Sequence, residues 1–284
     1  MSTTTIIDHR YRLGPRLGGG GMADVFEASD LRLRRQVALK RCRTIRRRRH
    51  ILDEAELLAG LSHPGLLRLY DIGFDGQRPF LVLQLASGGT LRDRLDSGPL
   101  APDRVAEIGA TVASVLTYVH SEDVVHRDVK PENLLFDSVG ECYLADFGIA
   151  LTGDRPAPDF VGTAGYLAPE QIGYGEVGPA ADVYSLGLVL LESLTGETEY
   201  PGDGPEAAMA RLVHPPKVPA VWGRTWRSLL TAMTAIEPAR RPTAAACATV
   251  LRALEAGEHV PLPGCVRRRS RFETIMSAAC SALF

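Results

Sequence analysis

The chain has 284 residues, of which 45% are apolar and 23% are charged, close to the averages for soluble globular proteins. Its 28 glycines and 19 prolines make up less than roughly a quarter of the chain, the share that marks low complexity. The formal net charge of −2 supplies no overall positive field for nucleic acid. These values exclude wholesale disorder and collagen-like repeats, and they suggest one large domain or two small ones.

Cysteine usage and the N-terminal sequence point to a reducing compartment. The five cysteines are odd in number, scattered, and form no C-x-x-C pair, which favours neither a disulfide framework nor a zinc site. The first eleven residues lack the apolar segment of a signal peptide. No stretch approaches the roughly 20 apolar residues that a membrane-spanning helix needs. We therefore expect a cytoplasmic protein with reduced thiols.

Short strands dominate the front of the chain. Residues 11–17, 22–29 and 35–41 are short runs separated by Gly-rich or polar turns, which is typical of an antiparallel meander. The apolar spacing over residues 51–61 predicts a helix, and residues 66–72 and 79–85 predict two further strands. A strand-rich segment of about 80 residues therefore comes first.

The remainder of the chain is rich in helices. Apolar periodicity predicts helices over residues 104–120, 181–194, 225–235 and 243–255. Together with the strand-rich front, this indicates an α+β protein with two lobes and a seam near Ala86. We expect an N-terminal extension over residues 1–9, a first lobe over 10–86, a second lobe over 87–256 and a tail over 257–284.

Only three of the 32 basic residues are lysines: Lys40, Lys130 and Lys217. Arginine cannot replace lysine where a site needs a compact ammonium charge, so these positions are candidates for chemistry. Lys217 stands among prolines and is interpreted as an accident of composition. Lys40 ends an apolar run, and Lys130 lies in a polar loop.

A run of four glycines, Gly18 to Gly21, lies between the first two predicted strands. Without side chains, backbone N–H groups can approach an anion closely, although a flexible hairpin turn is the alternative. No Lys-Ser/Thr pair follows, and a strand rather than a helix comes next. The run is therefore neither a Walker loop nor a Rossmann turn.

Lys40 could lie beside this Gly-rich turn and neutralise phosphate oxygens, provided that a carboxylate holds it in place. Glu54 and Glu56 both fall on the following predicted helix. Glu54 shares a face with Leu58, whereas Glu56 points elsewhere. We therefore expect Glu54 to be the partner of Lys40.

Three further motifs follow in order. Residues 126–133 read HRDVKPEN, residues 146–148 read DFG and residues 168–170 read APE. Accepting a proton from a hydroxyl asks for a carboxylate, which Asp128 supplies, with the cation of Lys130 nearby to steady a moving phosphoryl group. Divalent metal ions on a nucleotide need oxygen ligands, which Asn133 and Asp146 supply.

In this order and spacing the motifs resemble those of the Hanks-type, or eukaryotic-like, serine/threonine protein kinases, in their bacterial branch. The resemblance covers residues 10–255. It implies a bilobal fold with a small β-rich N-lobe and a larger α-helical C-lobe. It also implies transfer of the γ-phosphate of ATP to serine or threonine hydroxyls of proteins, with Mg²⁺ or Mn²⁺, and autophosphorylation. Lys130 favours this specificity, because tyrosine-specific members usually replace it.

The resemblance also implies residue roles around the nucleotide. The nucleotide site would comprise Leu17, Gly18, Gly20, Val25, Ala38, Lys40, Glu54, Gln84, Ala86 and Leu135. Ala38 and Leu135 would enclose the adenine, the backbone of Gln84 and Ala86 would bond its edge, and Leu83 would be the gatekeeper.

In the same family, Lys40 would contact the α- and β-phosphates and pair with Glu54. Asp128 would be the catalytic base and Lys130 a contact to the γ-phosphate, while Asn133 and Asp146 would bind the metal.

Two structural roles are also implied. Asp182 would anchor the catalytic loop, and Glu170 would pair with Arg241.

The sequence departs from the family pattern at Ala23, which replaces the third glycine, and at Gln84, which replaces a common hinge acid. Neither change removes a chemical group from the mechanism.

Two other functions compete with an active protein kinase. A pseudokinase acting as a scaffold or binding module would lack Lys40, Asp128 or Asp146, and all three are present. A small-molecule kinase of the aminoglycoside or choline type shares those residues but resembles this chain poorly after Gly148. Measurement of ATP turnover separates the first alternative from an active kinase.

Three regions suggest regulation or partners. The run Arg46 to Arg49 is either a solvated helix start or a docking patch for an acidic or phosphorylated partner. The tail carries four arginines followed by spaced apolar residues, so it is either disordered or a peripheral membrane contact.

Thr152 is the expected phosphorylation switch in the segment between DFG and APE, because the other threonine there, Thr163, is expected to contact the catalytic residues. We expect an enzyme that is active without phosphorylation there.

Overall fold

The computed structural model describes residues 5–19, 23–147, 164–173, 175–202, 209–212 and 214–258. The front of the chain forms a six-stranded antiparallel sheet with the strand order β1-β2-β3-β4-β6-β5. Its strands are β1 (Ile6–Ile7), β2 (Tyr11–Gly19), β3 (Ala23–Asp30), β4 (Arg35–Cys42), β5 (Leu69–Asp75) and β6 (Arg78–Leu83). Five of the six strands correspond to the predicted runs, with boundaries that differ by up to three residues.

One helix, α1 (Arg48–Gly60), crosses between β4 and β5. It buries Ile51, Ala55 and Leu58 against the sheet, and of these Ala55 and Leu58 belong to the predicted apolar spacing. Glu54 is buried on the same face. A carboxylate buried among apolar side chains needs a charged partner. We therefore expect the facing strand to supply a cation for Glu54.

The outer face of the sheet has a separate apolar core, which includes Ile7, Tyr11, Val37, Leu39 and Phe80. Strand β1 was not predicted, since it has only two residues. It pairs with β2 and contributes Ile7, which is 2% exposed. The first residues described by the structure therefore take part in the sheet.

The rest of the described chain is mainly helical. Its α-helices are α2 (Leu91–Leu95), α3 (Pro102–Ser121), α4 (Pro169–Ile172), α5 (Pro179–Thr195), α6 (Gly223–Met233) and α7 (Ala244–Glu255). Every residue from 181 to 194 of α5 is buried, so this helix is the centre of the helical part. Helix α3 packs against α5 and α7, and Gly109 permits a close approach to Leu190 and Leu251.

A short hairpin carries the polar motifs. Strands β7 (Leu134–Phe136) and β8 (Cys142–Leu144) have three residues each, too few to show a sequence pattern. Leu144 receives a hydrogen bond from the N–H of Leu67 and donates one to the carbonyl of Gly65. The hairpin therefore joins the segment after α1, and residues 126–133 and 145–147 flank it on either side.

The predicted α+β architecture, with a strand-rich part followed by a larger helical part, is confirmed. Of the helices that the structure describes, none is long and apolar enough to cross a lipid bilayer. Gly20, Thr152, Thr163 and the tail from residue 259 onward lie outside the described residues.

Candidate active site

Lys40 lies between two carboxylates at the junction of the sheet and the helical part. Strand β4 places it opposite Val25 of β3 and Leu81 of β6. Its Nζ is 2.8 Å from Oε1 of Glu54 on α1 and 2.7 Å from Oδ1 of Asp146. The two carboxylates are 14 and 106 residues away in sequence, so the fold assembles this cluster.

The charges of the cluster stabilise one another. Burial alone would lower the pKa of Lys40, but the carboxylates of Asp146 and Glu54 outweigh it and raise the pKa above its ordinary value. Burial would raise the pKa of Asp146, but Lys40 outweighs this effect and lowers it. Burial raises the pKa of Glu54 against the attraction of Lys40. At neutral pH the site therefore holds a protonated lysine beside an ionised Asp146.

The carboxylate of Asp128 has two different oxygens. Its Oδ2 lies 2.8 Å from Nζ of Lys130 and accepts a hydrogen bond of 2.9 Å from Nδ2 of Asn133. Its Oδ1 is buried and has no hydrogen-bond partner among the described residues. A buried carboxylate oxygen without a donor is costly, and such an exception indicates a functional site.

Asp182 of α5 holds the backbone of the loop at residues 126–133. Its Oδ2 accepts the N–H of His126 at 2.8 Å, and its Oδ1 accepts the N–H of Arg127 at 2.7 Å. His120 of α3 also contacts Oδ2, at 2.8 Å, and the sequence analysis missed this residue. Arg127 and Asp146 have φ angles of 68° and 56°. Such angles are unfavourable for these residue types and concentrate at functional sites.

Asn133 connects the two acidic residues of the site. Its Nδ2 contacts the carbonyl oxygen and Oδ2 of Asp128 and lies 3.3 Å from the carbonyl oxygen of Asp146. None of these contacts uses Oδ1 of Asn133, and the side chain of Asp146 is 47% exposed.

These two oxygen donors suit a divalent ion that draws its remaining ligands from nucleotide phosphates and water. Among the described residues, no group of three or more His, Cys, Asp or Glu side chains could hold a metal by itself.

The residues predicted to surround the nucleotide come from the six-stranded sheet and from the β7–β8 hairpin. Ala38 of β4 is buried, and Val25 and Leu135 are half-buried and pack against the same core. Leu17 is 50% exposed, and Gly18 pairs with Val25 at the end of the β2–β3 hairpin.

The hinge residues leave one donor and one acceptor. The N–H of Gln84 is used in a hydrogen bond of 2.9 Å to Arg68, so only its carbonyl is left for a ligand. Within the part of the chain that the structure describes, the N–H of Ala86 makes no backbone hydrogen bond. The carbonyl and the N–H together present an acceptor and a donor at the lobe junction.

Gln171 is a second residue that the sequence analysis missed. Its Nε2 donates to the carbonyl of Arg127 at 3.0 Å, and its Oε1 accepts the N–H of Ala168 at 2.9 Å. It therefore links the APE segment to the loop at residues 126–133. A glutamine three residues after a helix N-cap is the available sequence signal. Glu170 and Arg241 also meet in this region.

Comparisons with known proteins agree with this geometry. A family model described as "Protein kinase domain" matches residues 11–250. The serine/threonine-protein kinase PknL of Mycobacterium tuberculosis is 39% identical over 214 residues, covering 70% of this chain and 53% of the relative. PknB of Mycolicibacterium smegmatis is 40% identical over 239 residues, covering 77% of this chain and 38% of the relative.

The chain thus spans about half the length of PknL and less than half that of PknB. The predicted resemblance and fold class are confirmed. The chain belongs to the protein kinase domain family, in the bacterial Hanks-type serine/threonine branch, a family that uses ATP and a divalent metal ion.

Proposed function

We propose that this chain transfers the γ-phosphate of ATP to serine and threonine hydroxyls of proteins, its own included. The observation that carries the proposal is the buried Oδ1 of Asp128, which has no hydrogen-bond donor among the described residues. A substrate hydroxyl is a donor of the right kind, because a carboxylate can accept first its hydrogen bond and then its proton.

In the proposed reaction, the hydroxyl of the substrate donates to Oδ1 of Asp128. As its oxygen forms a bond to the γ-phosphorus, the bond from that phosphorus to the β–γ bridging oxygen breaks. The proton passes to Asp128, and the displaced electron pair stays on ADP. Lys130 and Asn133 hold Oδ2 of Asp128, which fixes the orientation of Oδ1 toward the substrate hydroxyl. The ammonium of Lys130 also offsets negative charge on the phosphoryl group.

Lys40 is the proposed anchor of the α- and β-phosphates. Glu54 holds its ammonium from α1, and Asp146 holds it from the loop after β8. The ion pair with Glu54 fixes Lys40 while leaving Asp146 to interact with a metal ion as well. The geometry therefore supports a lysine that is positioned before the nucleotide binds.

Asn133 and Asp146 are the proposed ligands of Mg²⁺ or Mn²⁺. The bound ion would neutralise phosphate charge. The proposed nucleotide site comprises Leu17, Gly18, Gly20, Val25, Ala38, Lys40, Glu54, Gln84, Ala86 and Leu135. In this arrangement ATP lies between a first lobe at residues 10–86 and a second lobe at residues 87–256.

The test is an assay with γ-labelled ATP, a generic Ser/Thr protein substrate and each divalent cation in turn. We expect label on serine and threonine with the wild type and none above background with Asp128→Asn. Asp96→Asn, an exposed residue after α2, serves as the matched control and should retain full activity. ATP binding without transfer by the wild type would contradict the proposal and support a pseudokinase instead.

A docking role for Arg46 to Arg49 is a further part of the proposal. Arg46, Arg48 and Arg49 are exposed, the last to 90% in its side chain. Helix α1 has no acidic residue in its first turn and no side-chain cap, so its N-terminal N–H groups add to the positive charge. A phosphorylated or acidic protein segment would complement this patch.

Fluorescence anisotropy with a phosphorylated peptide and its unphosphorylated counterpart tests this role. The wild type should prefer the phosphorylated peptide, and Arg46→Gln/Arg49→Gln should lose that preference. Arg227→Gln, an exposed charge on α6, is the control. Equal affinities of the wild type for both peptides would contradict the docking role.

We assign the chain to the cytoplasm, with a peripheral membrane contact through residues 257–284. Four arginines near anionic lipid are worth about 1 kcal/mol each, and apolar residues follow them in the sequence. Sedimentation with anionic vesicles should pellet the full chain and leave a truncation after Gly257 in solution. Equal pelleting of the two proteins would contradict the contact.

A further inference from the structure

Arg92 of α2 lies between two glutamates beside the catalytic loop. Its Nη2 is 2.5 Å from Oε1 of Glu192 on α5, and its Nε is 3.8 Å from Oε1 of Glu132. Tyr166 contacts the same group, since its hydroxyl donates to Oε2 of Glu192 and lies 3.5 Å from Nη2 of Arg92. We call Arg92, Glu132, Glu192 and Tyr166 the arginine cluster.

The two glutamates differ in their exposure and in their hydrogen bonding. Glu192 is 3% exposed, and both of its oxygens are hydrogen-bonded, with Thr198 donating to Oε1 at 3.0 Å. Glu132 is 47% exposed, and its separation of 3.8 Å from Nε of Arg92 makes the attraction electrostatic rather than a hydrogen bond. The Nε of Arg92 itself has no hydrogen-bond partner among the described residues. Arg92 therefore neutralises charge at Glu132 without enclosing it.

The cluster lies next to the proposed acceptor site. Glu132 stands in a turn of 3₁₀-helix between Lys130 and Asn133, and both of these residues contact the Asp128 carboxylate. A peptide whose hydroxyl reaches Asp128 must pass close to this turn. Without Arg92, the exposed carboxylate of Glu132 would lie beside the peptide with no cation against it, and the buried carboxylate of Glu192 would lose its charged partner.

Resting on the proposed function, we propose that Arg92 is a built-in occupant of an acidic recess beside the acceptor site. Its guanidinium takes the place that an arginine or lysine of a substrate would otherwise occupy. The enzyme consequently gains little from a basic residue near the phosphorylated serine or threonine. Arg92 is therefore a specificity-determining residue. It acts by neutralising the charge of Glu132 and Glu192, which would otherwise attract a basic side chain of the substrate.

The test compares kcat/KM for two sets of peptides that share one acceptor serine. In one set a single arginine is moved through the four positions on each side of the serine, and in the other glutamine replaces it. We expect the wild type to show arginine-to-glutamine ratios within about twofold of one at every position. Arg92→Gln, which keeps an amide donor for Glu192, should raise the ratio about fivefold or more at one or two positions, the size of an accessible ion pair.

Three variants separate charge from structure. Arg92→Lys retains the cation and should keep the wild-type ratio. Arg92→Gln/Glu132→Gln should return the ratio toward one. Arg227→Gln removes an exposed charge elsewhere and should change nothing. Because each ratio is taken within one protein, a general loss of activity does not affect it.

A second measurement does not require a change at Arg92. In Glu132→Gln the charge of Arg92 loses its outer partner, so peptides with glutamate near the serine should gain about fivefold over those with glutamine. Unchanged ratios in both Arg92→Gln and Glu132→Gln would overturn the inference, as would a strong preference for arginine in the wild type. Transfer to none of the peptides would overturn the proposed function itself, and the inference with it.

Discussion

Arg241 and Glu170 form a buried, bidentate ion pair between residues 71 positions apart. The distances are 2.6 Å from Nη1 to Oε1 and 2.8 Å from Nη2 to Oε2, and the two side chains are 0% and 7% exposed. The guanidinium also donates to the carbonyls of Ala180, Ala235 and Ile236. The pair thereby fastens α4, and the APE segment that begins it, to the turn between α6 and α7.

Removing one partner of this pair should destabilise the protein strongly. Arg241→Met leaves the Glu170 carboxylate buried without its partner, which costs on the order of 3–5 kcal/mol of unfolding free energy. Urea denaturation should show a lower midpoint with an unchanged slope. Arg240→Gln is the control, because Arg240 and Glu237 are 71% and 62% exposed and such pairs contribute less than about 1 kcal/mol. Similar losses in the two variants would contradict the prediction.

Gly88 should tolerate no side chain. It lies between β6 and α2, where its N–H donates to the carbonyl of Phe136 at 2.6 Å. A Cβ at this position would lie 2.2 Å from the carbonyl oxygen of Asp137, and backbone cannot move aside easily. Gly88→Ala should therefore cost about 1–3 kcal/mol.

Thermal and urea unfolding measure this loss at Gly88. Gly60→Ala is the matched control, since no atom lies within 4 Å of a Cβ there. It stands at the end of α1, where alanine is the better helix former. A variant Gly88→Ala as stable as Gly60→Ala would show that the approach of the two backbones does not constrain the fold.

Asp30 should make the protein sensitive to acid. Hydrogen bonds from Arg10 outweigh burial and lower the pKa of this carboxyl to about 2, with distances of 2.9 and 2.7 Å. A depressed pKa means that the ionised form stabilises the fold above the unfolded-state value near 4, and that this contribution is lost as pH falls through 2.

The free energy of unfolding measured between pH 5 and pH 2 tests this. It should fall more steeply with decreasing pH in the wild type than in Asp30→Asn, which has no carboxyl to titrate. Asp103→Asn, at an exposed position in the first turn of α3, should follow the wild-type curve. Parallel curves for the wild type and Asp30→Asn would contradict the assignment.

Glu54 should matter for phosphate binding and Glu56 should not. Glu54→Gln removes the carboxylate 2.8 Å from Nζ of Lys40, so that Asp146 alone holds the lysine. We expect kcat/KM for ATP to fall about tenfold or more, since loss of positioning near reacting groups has effects of this size. Glu56→Gln, exposed on the same helix, should retain wild-type kinetics. Equal kinetics in the two variants would show that Glu54 does not position Lys40 for phosphate binding.

Much of the fold followed from short patterns in the sequence. The alternation of apolar runs and turns predicted five of the six strands of the sheet. Apolar spacing predicted the helices that bury one face, and the choice of Glu54 over Glu56 rested on the same spacing. The order of the polar motifs led to the choice of Asp128 and Asp146, and in the structure these carboxylates lie against Lys130 and Lys40.

Features that depend on few residues or on distant contacts could not be predicted. Strands of two or three residues, such as β1, β7 and β8, carry no periodic signal. His120 contacts Asp182, which lies 62 residues away in sequence, and Gln171 reaches Arg127 across 44 residues. The position of Gln171 after a helix N-cap indicates its bond to Ala168, but it does not indicate the bond to Arg127. Arg92 is one of many arginines in this chain, and its position between Glu132 and Glu192 depends on the placement of α2 beside the 3₁₀ turn and on the reach of its side chain to α5.

The central claim is that Oδ1 of Asp128 takes the proton of the substrate hydroxyl, while Oδ2 is held by Lys130 and Asn133. The most direct test measures ATP affinity and single-turnover phosphate transfer on the same preparations of wild type and Asp128→Asn. The account predicts an unchanged Kd for ATP and a transfer rate lower by about 10²–10⁴-fold or more. Transfer at the wild-type rate by a correctly folded Asp128→Asn would contradict it.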